Sequence, residues 1–195
     1  MKRAVRGAMA LVCLATFATA WLPASLDAQT PKEPVNPQAA ALADFQRRLE
    51  AYMALHAEAA KGRGELKETA NPAEIREAET TLAERIRAAR RGARQGDIFT
   101  PEIRHTLRRL MYPKVHGPGG DDAKATIRED APAAVPLKVN ATYPSDQPLP
   151  TVPATVLANL PRLPKGLEYR IVGRHLILRD ADANLIVDYI PNAVQ

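Results

Sequence analysis

Glu168-Tyr-Arg-Ile-Val-Gly-Arg-His-Leu-Ile-Leu-Arg-Asp-Ala-Asp-Ala-Asn-Leu-Ile-Val-Asp-Tyr-Ile190 is the stretch whose reading decides the fold. It contains three apolar runs separated by two turn signals. Tyr169 and Ile171 share one face of the first run, and Arg170 and Val172 share the other. Gly173-Arg174 fits a tight turn, and His175 to Arg179 forms the second run. Asp180-Ala-Asp-Ala-Asn184 is rich in residues that bond their own backbone or tolerate a left-handed φ. Leu185 to Ile190 is the third run, and Pro191 stops it. The pattern predicts a three-stranded antiparallel meander. Its apolar face requires a cover, and the nearest one in sequence is a short helix over Thr151 to Leu160, joined to the sheet by the two-proline connector Pro161 to Gly166.

Upstream of the meander the periodicity changes to that of helices. Leu42, Phe45, Leu49, Tyr52, Met53 and His56 recur at helical spacing and predict a first helix over Ala39 to Ala60, ended by Gly62 and Gly64. Asn71, Pro72 and Glu74 make a strong start signal for a second helix running to about Arg91. Its stripe of Ile75, Ala78, Leu82, Ile86 and Ala89 is thin, which suits packing against one partner helix. Thr100 and Pro101 open a short third helix with Ile103, Leu107, Leu110 and Met111 inward, ended at Tyr112-Pro113. The expected class is α+β: an N-terminal helical hairpin with a short third helix, and a C-terminal small helix on a three-stranded antiparallel meander.

The remaining segments read as connections. Residues 1–28 have a signal-peptide composition: Lys2, Arg3 and Arg6, then an uncharged apolar run from Gly7 to Ala20, then Leu26-Asp-Ala28 as a cleavage site. Residues 29–38, with Pro31, Pro34 and Pro37, form an extended leader. The helical region occupies 39–112, a Pro/Gly-rich linker 113–150, and the α+β tail module 151–195. Within the linker, Val135 to Asn140 fits a short edge strand. The expected location is periplasmic or secreted after cleavage.

Composition narrows the chemistry. Cys13 is the only cysteine and falls within the signal, so the mature chain is expected to carry no disulfide and no thiol nucleophile. The net charge is +5; losing Lys2, Arg3, Arg6 and Asp27 with the signal leaves about +3, too mild for a nucleic-acid footprint. Arg85, Arg87, Arg90, Arg91 and Arg94 form a basic run that could hold an anion, such as a lipid headgroup or cell-wall polymer. It suits a helix C-terminus and a solvated face better. The four histidines, His56, His105, His116 and His175, are scattered, and Asp121-Asp122 lacks the rest of a calcium loop. Gly117-Pro-Gly-Gly120 lacks the ending of a phosphate cradle and reads as a turn or linker. No metal, cofactor or catalytic set is assigned. The best acidic candidates for hydrolytic chemistry are Asp180, Asp182 and Asp188, and turn aspartates usually serve the turn.

Three tail segments, Leu160 to Arg170, Val172 to Asp180 and Leu185 to Ile190, together resemble the tail of the small periplasmic nickel/cobalt-homeostasis (RcnB-like) protein family, which includes relatives associated with virulence regulation. The resemblance covers about the last forty-five residues, through Pro161, Pro164, Gly166, Tyr169, Gly173, Leu178, Asp180 and Asp188 among others. It implies a helix-plus-meander unit in an accessory or modulatory protein without established enzymatic activity. Of the histidines only His175 lies in the resembling stretch, so no nickel or cobalt role carries over. The expected function is therefore that of an exported, non-enzymatic accessory protein of the bacterial envelope acting through protein–protein contacts. The alternatives are anionic-surface binding through Arg85 to Arg94 and an envelope-polymer hydrolase. The functional surface of the tail is expected around His175, Asp180 and Asp188, and the sequence leaves the oligomeric state open.

Overall fold

In the computed structural model the meander forms as three strands, β1 (Leu167–Val172), β2 (His175–Asp180) and β3 (Leu185–Ile190), antiparallel and in the order β1-β2-β3. The structure describes residues 36–61, 71–129, 131 and 135–194; the signal, most of the leader, and Gly62 and Gly64 lie outside them. The tight turn is made by Gly173 at φ +59, with Val172 opposite His175. The second turn places Asn184 at φ +49, a left-handed conformation that asparagine tolerates better than most residues.

The helices are α1 (Pro37–Ala60), α2 (Pro72–Ala89), α3 (Pro101–His116), α4 (Gly120–Glu129) and a single turn, α5 (Ala154–Leu157). Among the described residues no helix is long and apolar enough to cross a membrane. Three N-termini carry the capping chemistry expected of their residues. Asn36, Asn71 and Thr100 each accept a bond from a first-turn amide, and each is followed by a proline. On α2, Leu82, Ala83 and Ile86 are buried, whereas Ile75 at the head of the stripe is 44% exposed.

Two helical expectations are corrected. The third helix does not stop at Tyr112-Pro113 but continues to His116 with Pro113 inside it. A proline there removes only the bond to the carbonyl of Arg109, four residues back on the exposed side, while Val115 beyond it is drawn into the core at 2% exposure. The stretch read as linker contains α4, which buries Ala123 and Ile127 and packs on α3. The glycines before it make the corner between the two helices. A Cβ on Gly120 would sit 2.3 Å from the carbonyl oxygen of Val115, so no larger residue fits there without moving the backbone. The tail helix is also shorter than expected, one turn starting after Pro153.

Both faces of the sheet are covered. Tyr169 and Ile171 from β1, Leu176 and Leu178 from β2, and Leu185, Val187 and Ile190 from β3 belong to one core with Phe45, Leu49 and Tyr52 of α1, Leu82 and Ile86 of α2, and Ile103, Leu107 and Met111 of α3. Val156 and Leu160 bring α5 into the same core. Phe99 stacks on Phe45 with ring centroids 5.6 Å apart. The opposite face, with Val172, Ile177 and Ile186, is covered by Tyr143, Val135 and Leu137. This segment also runs along the outer edge of β3. Asn140 N donates to Ile186 O at 2.8 Å, Ile186 N to Ala141 O at 2.9 Å, and Tyr143 N to Asn184 O at 3.0 Å. The predicted edge segment thus takes its backbone bonds at 140–143, a few residues later than expected. It occupies an edge that would otherwise present unpaired groups.

β3 carries an irregularity that sets what faces the helices. Leu178 pairs with Asp188 and the next residue, Arg179, pairs with Ile186, which leaves Val187 without an opposite number. An uninterrupted ladder continuing from the Asp180–Leu185 pair would put Asp188 opposite Ile177, on the far face. The extra residue turns Val187 and Asp188 toward the helices together, as bulges do.

Candidate functional site

Asp180 and Asp188, singled out as turn aspartates with possible chemistry, are both completely buried. A buried carboxylate must be hydrogen-bonded throughout or neutralised, and both are bonded throughout. At Asp180, Oδ1 accepts from the amides of Asp182 and Ala183, each at 3.0 Å, which closes its own turn. Oδ2 accepts from the Tyr52 hydroxyl at 2.6 Å and from His56 Nδ1 at 2.7 Å, both on α1. A carboxylate can only accept, so Nδ1 of His56 carries the hydrogen. His56 Nε2 lies 3.8 Å from Asp182 Oδ2.

Asp188 is held differently. Its oxygens accept from the backbone amides of Gly96 (2.9 and 3.2 Å), Ile98 (2.9 Å) and Phe99 (2.8 Å), and from its own neighbour Tyr189 at 2.8 Å. The loop between α2 and α3 curls its amides around this one side chain, an anion nest built by successive N–H groups. Thr100, which caps α3, follows directly, so Asp188 fixes the approach to that helix.

The electrostatics follow from these partners. Burial pushes the Asp180 carboxyl up, but the bonds from His56 and Tyr52 outweigh it and hold it below its ordinary value. Burial and the adjacent Asp180 charge push the Tyr52 hydroxyl well above its ordinary value, so it remains a donor. Arg90 stands over the Tyr52 ring, 5.1 Å from its centroid. Burial draws its guanidinium down, offset by Tyr52, Asp188, Asp97 and Asp180.

Arg90 shows where the basic run goes. It donates to Asn140 Oδ1 at 2.8 Å and to the carbonyl of Val187, the bulged residue, at 3.2 Å, while Asn140 Nδ2 donates back to the Arg90 carbonyl. Arg87 bonds the Asn140 carbonyl at 2.9 Å and the Thr142 hydroxyl. Arg85 bonds the carbonyls of Ala59 and Lys61 at the end of α1. Three of the five arginines are therefore engaged with the chain itself, and Arg91 and Arg94 are the exposed pair.

His175, Asp180 and Asp188 do not meet in one pocket. His175 and Asp180 stand at opposite ends of β2, about 16 Å apart at strand rise. His175 Nδ1 accepts from the amide of Asn192 at 3.2 Å, and burial, with Arg174 beside it, lowers its pKa. His105 and His116 are exposed on α3, and His116 stacks on Tyr112. Among the described residues no group of three or more histidine, cysteine, aspartate or glutamate side chains is placed to hold a metal ion.

The roles of Tyr52 and His56 were not found from the sequence, where both read as apolar-face positions of α1. Their signal was polarity on that face, four residues apart, since such side chains point the same way and buried ones need a partner. Nothing local names Asp180 as that partner. Compared with protein-family models, with curated proteins and with solved structures, the chain matches none.

Proposed function

We propose that this is an exported, non-enzymatic accessory protein of the bacterial envelope that works by protein–protein contact. One observation supports this above the others: both buried aspartates spend all their lone pairs on the fold. A general base or nucleophile needs a free lone pair within reach of a substrate, and Asp180 and Asp188 each take at least four donor contacts from the chain. The resemblance of the tail to the accessory family points the same way. Anionic-surface binding through the basic run is the weaker reading, because Arg85, Arg87 and Arg90 are already bonded within the protein.

Two surfaces suit contact. Ile75 marks the outside of the α1–α2 hairpin, and Leu157, 47% exposed, stands beside the connector into β1. The test is photo-crosslinking in intact cells from a reactive residue placed at Ile75 or Leu157, combined with fractionation. The expected result is a chain outside the cytoplasm, shortened by about 28 residues, with a discrete protein adduct from one of these positions. A full-length chain confined to the cytoplasm removes the export reading. Absence of any adduct from both positions removes the contact reading.

A further inference from the structure

The C-terminal segment 191–194 is tied back across the β1–β2 turn. The amides of Ala193 and Val194 both donate to the carbonyl of Arg174, at 2.7 and 3.2 Å, and Asn192 bonds His175. Val194 and Val115 of α3 together line two clefts. The first, about 570 Å³, lies toward α4 and the Gly173-Arg174 turn. The second, about 480 Å³, lies along Met111 and Tyr112 of α3. Both are within the size range of small-molecule sites.

Their chemistry is one-sided. Val115, Ile127 and Val194 make the floor of the first cleft and are 2%, 7% and 8% exposed, so the floor is recessed. Among the described residues, every charged side chain that lines it is cationic: Lys124, Arg128 and Arg174. The second cleft adds Arg108 and His116 and, among the described residues, no acid. Among the described residues Lys124 is approached by Asp121, at 3.9 Å, and Arg108 reaches the carbonyl of Pro191. Among the described residues the guanidinium groups of Arg128 and Arg174 have no ion-pair or hydrogen-bond partner. Arginines grouped at the mouth of an apolar recess repel one another unless an anion joins them.

We infer that this recess binds a single-chain amphiphile, one aliphatic tail with an anionic head, the tail on Val115, Ile127 and Val194 and the head between Arg128 and Arg174. A bilayer surface fits less well, because a flat sheet of headgroups does not reach a recessed floor whereas one chain does. The inference is independent of whether the protein is exported, and it concerns a surface other than Ile75 and Leu157.

The test is titration calorimetry of the full chain with sodium decanoate, dodecanoate and tetradecanoate, each below its micellar concentration. One saturable site is expected, with affinity rising about fourfold per added methylene until the recess is filled. Dodecanol, with the same tail and no charge, is expected to bind at least about tenfold more weakly. Arg128→Ala with Arg174→Ala, both at exposed positions, should weaken dodecanoate by about tenfold or more. Val115→Trp should abolish binding by filling the floor; if that variant does not fold, the arginine pair decides. No saturable binding of any of the three acids overturns the proposal, as does equal affinity for dodecanol. Binding to phosphatidylglycerol vesicles without binding of monomeric acid overturns it in favour of a membrane-surface role.

Discussion

Asp180 and Asp188 are the same residue type, on the same face of one sheet, equally buried, and each ties the sheet to the helices. They differ in what holds them. Asp188 is gripped by backbone amides of the loop between α2 and α3, whereas half of the Asp180 bonds come from side chains on α1. Backbone donors cannot be withdrawn, titrated or rotated away, so their site tolerates no other occupant. Side-chain donors can swing to water, and one of them, His56, is 12% exposed. The two ends of the sheet should therefore differ in how they fail.

The largest effect is expected at Asp188. Replacing it with Asn keeps the shape but turns an amide NH2 toward a ring of N–H groups, leaving buried donors unpaired. We predict a loss of about 4 kcal/mol or more, measured by urea unfolding, with α3 amides losing hydrogen-exchange protection first. A loss under about 1 kcal/mol would mean that the loop does not depend on this carboxylate.

Asp180→Asn comes next, at about 2 to 3 kcal/mol, because an amide oxygen still serves part of the turn and Tyr52 and His56 can relax. It should also change the pH profile. The folded Asp180 pKa is depressed, so its contribution is present above the unfolded value near 4 and is lost as pH falls through the folded one. The wild type should lose stability across that acid window more steeply than Asp180→Asn. Parallel acid limbs would contradict a depressed folded pKa.

A double-mutant cycle between Tyr52→Phe and Asp180→Asn sharpens the contrast further. We predict a coupling of about 1 to 2 kcal/mol, whereas Tyr52→Phe with Asp188→Asn should be additive within about 0.5 kcal/mol. Equal coupling to both aspartates would make the two junctions one network. The smallest effect belongs to Arg91→Ala, expected within about 0.5 kcal/mol, against a clear loss for Arg90→Ala, whose guanidinium reaches Asn140 and Val187. Equal losses would show that Arg90 is as dispensable as its exposed neighbour.

Much of this architecture was legible because its determinants are local. The strands of the meander follow from alternation and turn residues within twenty-four positions, and the caps at Asn71 and Thr100 from four-residue windows. α4 escaped because its flanks carry glycine and proline and it buries only two apolar side chains, Ala123 and Ile127. The site escaped for another reason. His56 and Tyr52 meet Asp180 across more than 120 positions, and Asn140 meets Arg90 across 50, so only the tertiary packing brings them together. The aspartates were read as part of a functional surface, yet both are completely buried. Their partners make them internal fasteners instead.

The unopposed Val187 gives the protein an arithmetic vulnerability. Which side of the sheet each β3 residue occupies depends on a count of positions as much as on their identity. Exchanges of one aliphatic for another along that strand ought to be absorbed, whereas gaining or losing a single codon there would swap a carboxylate for an oily side chain between the two layers.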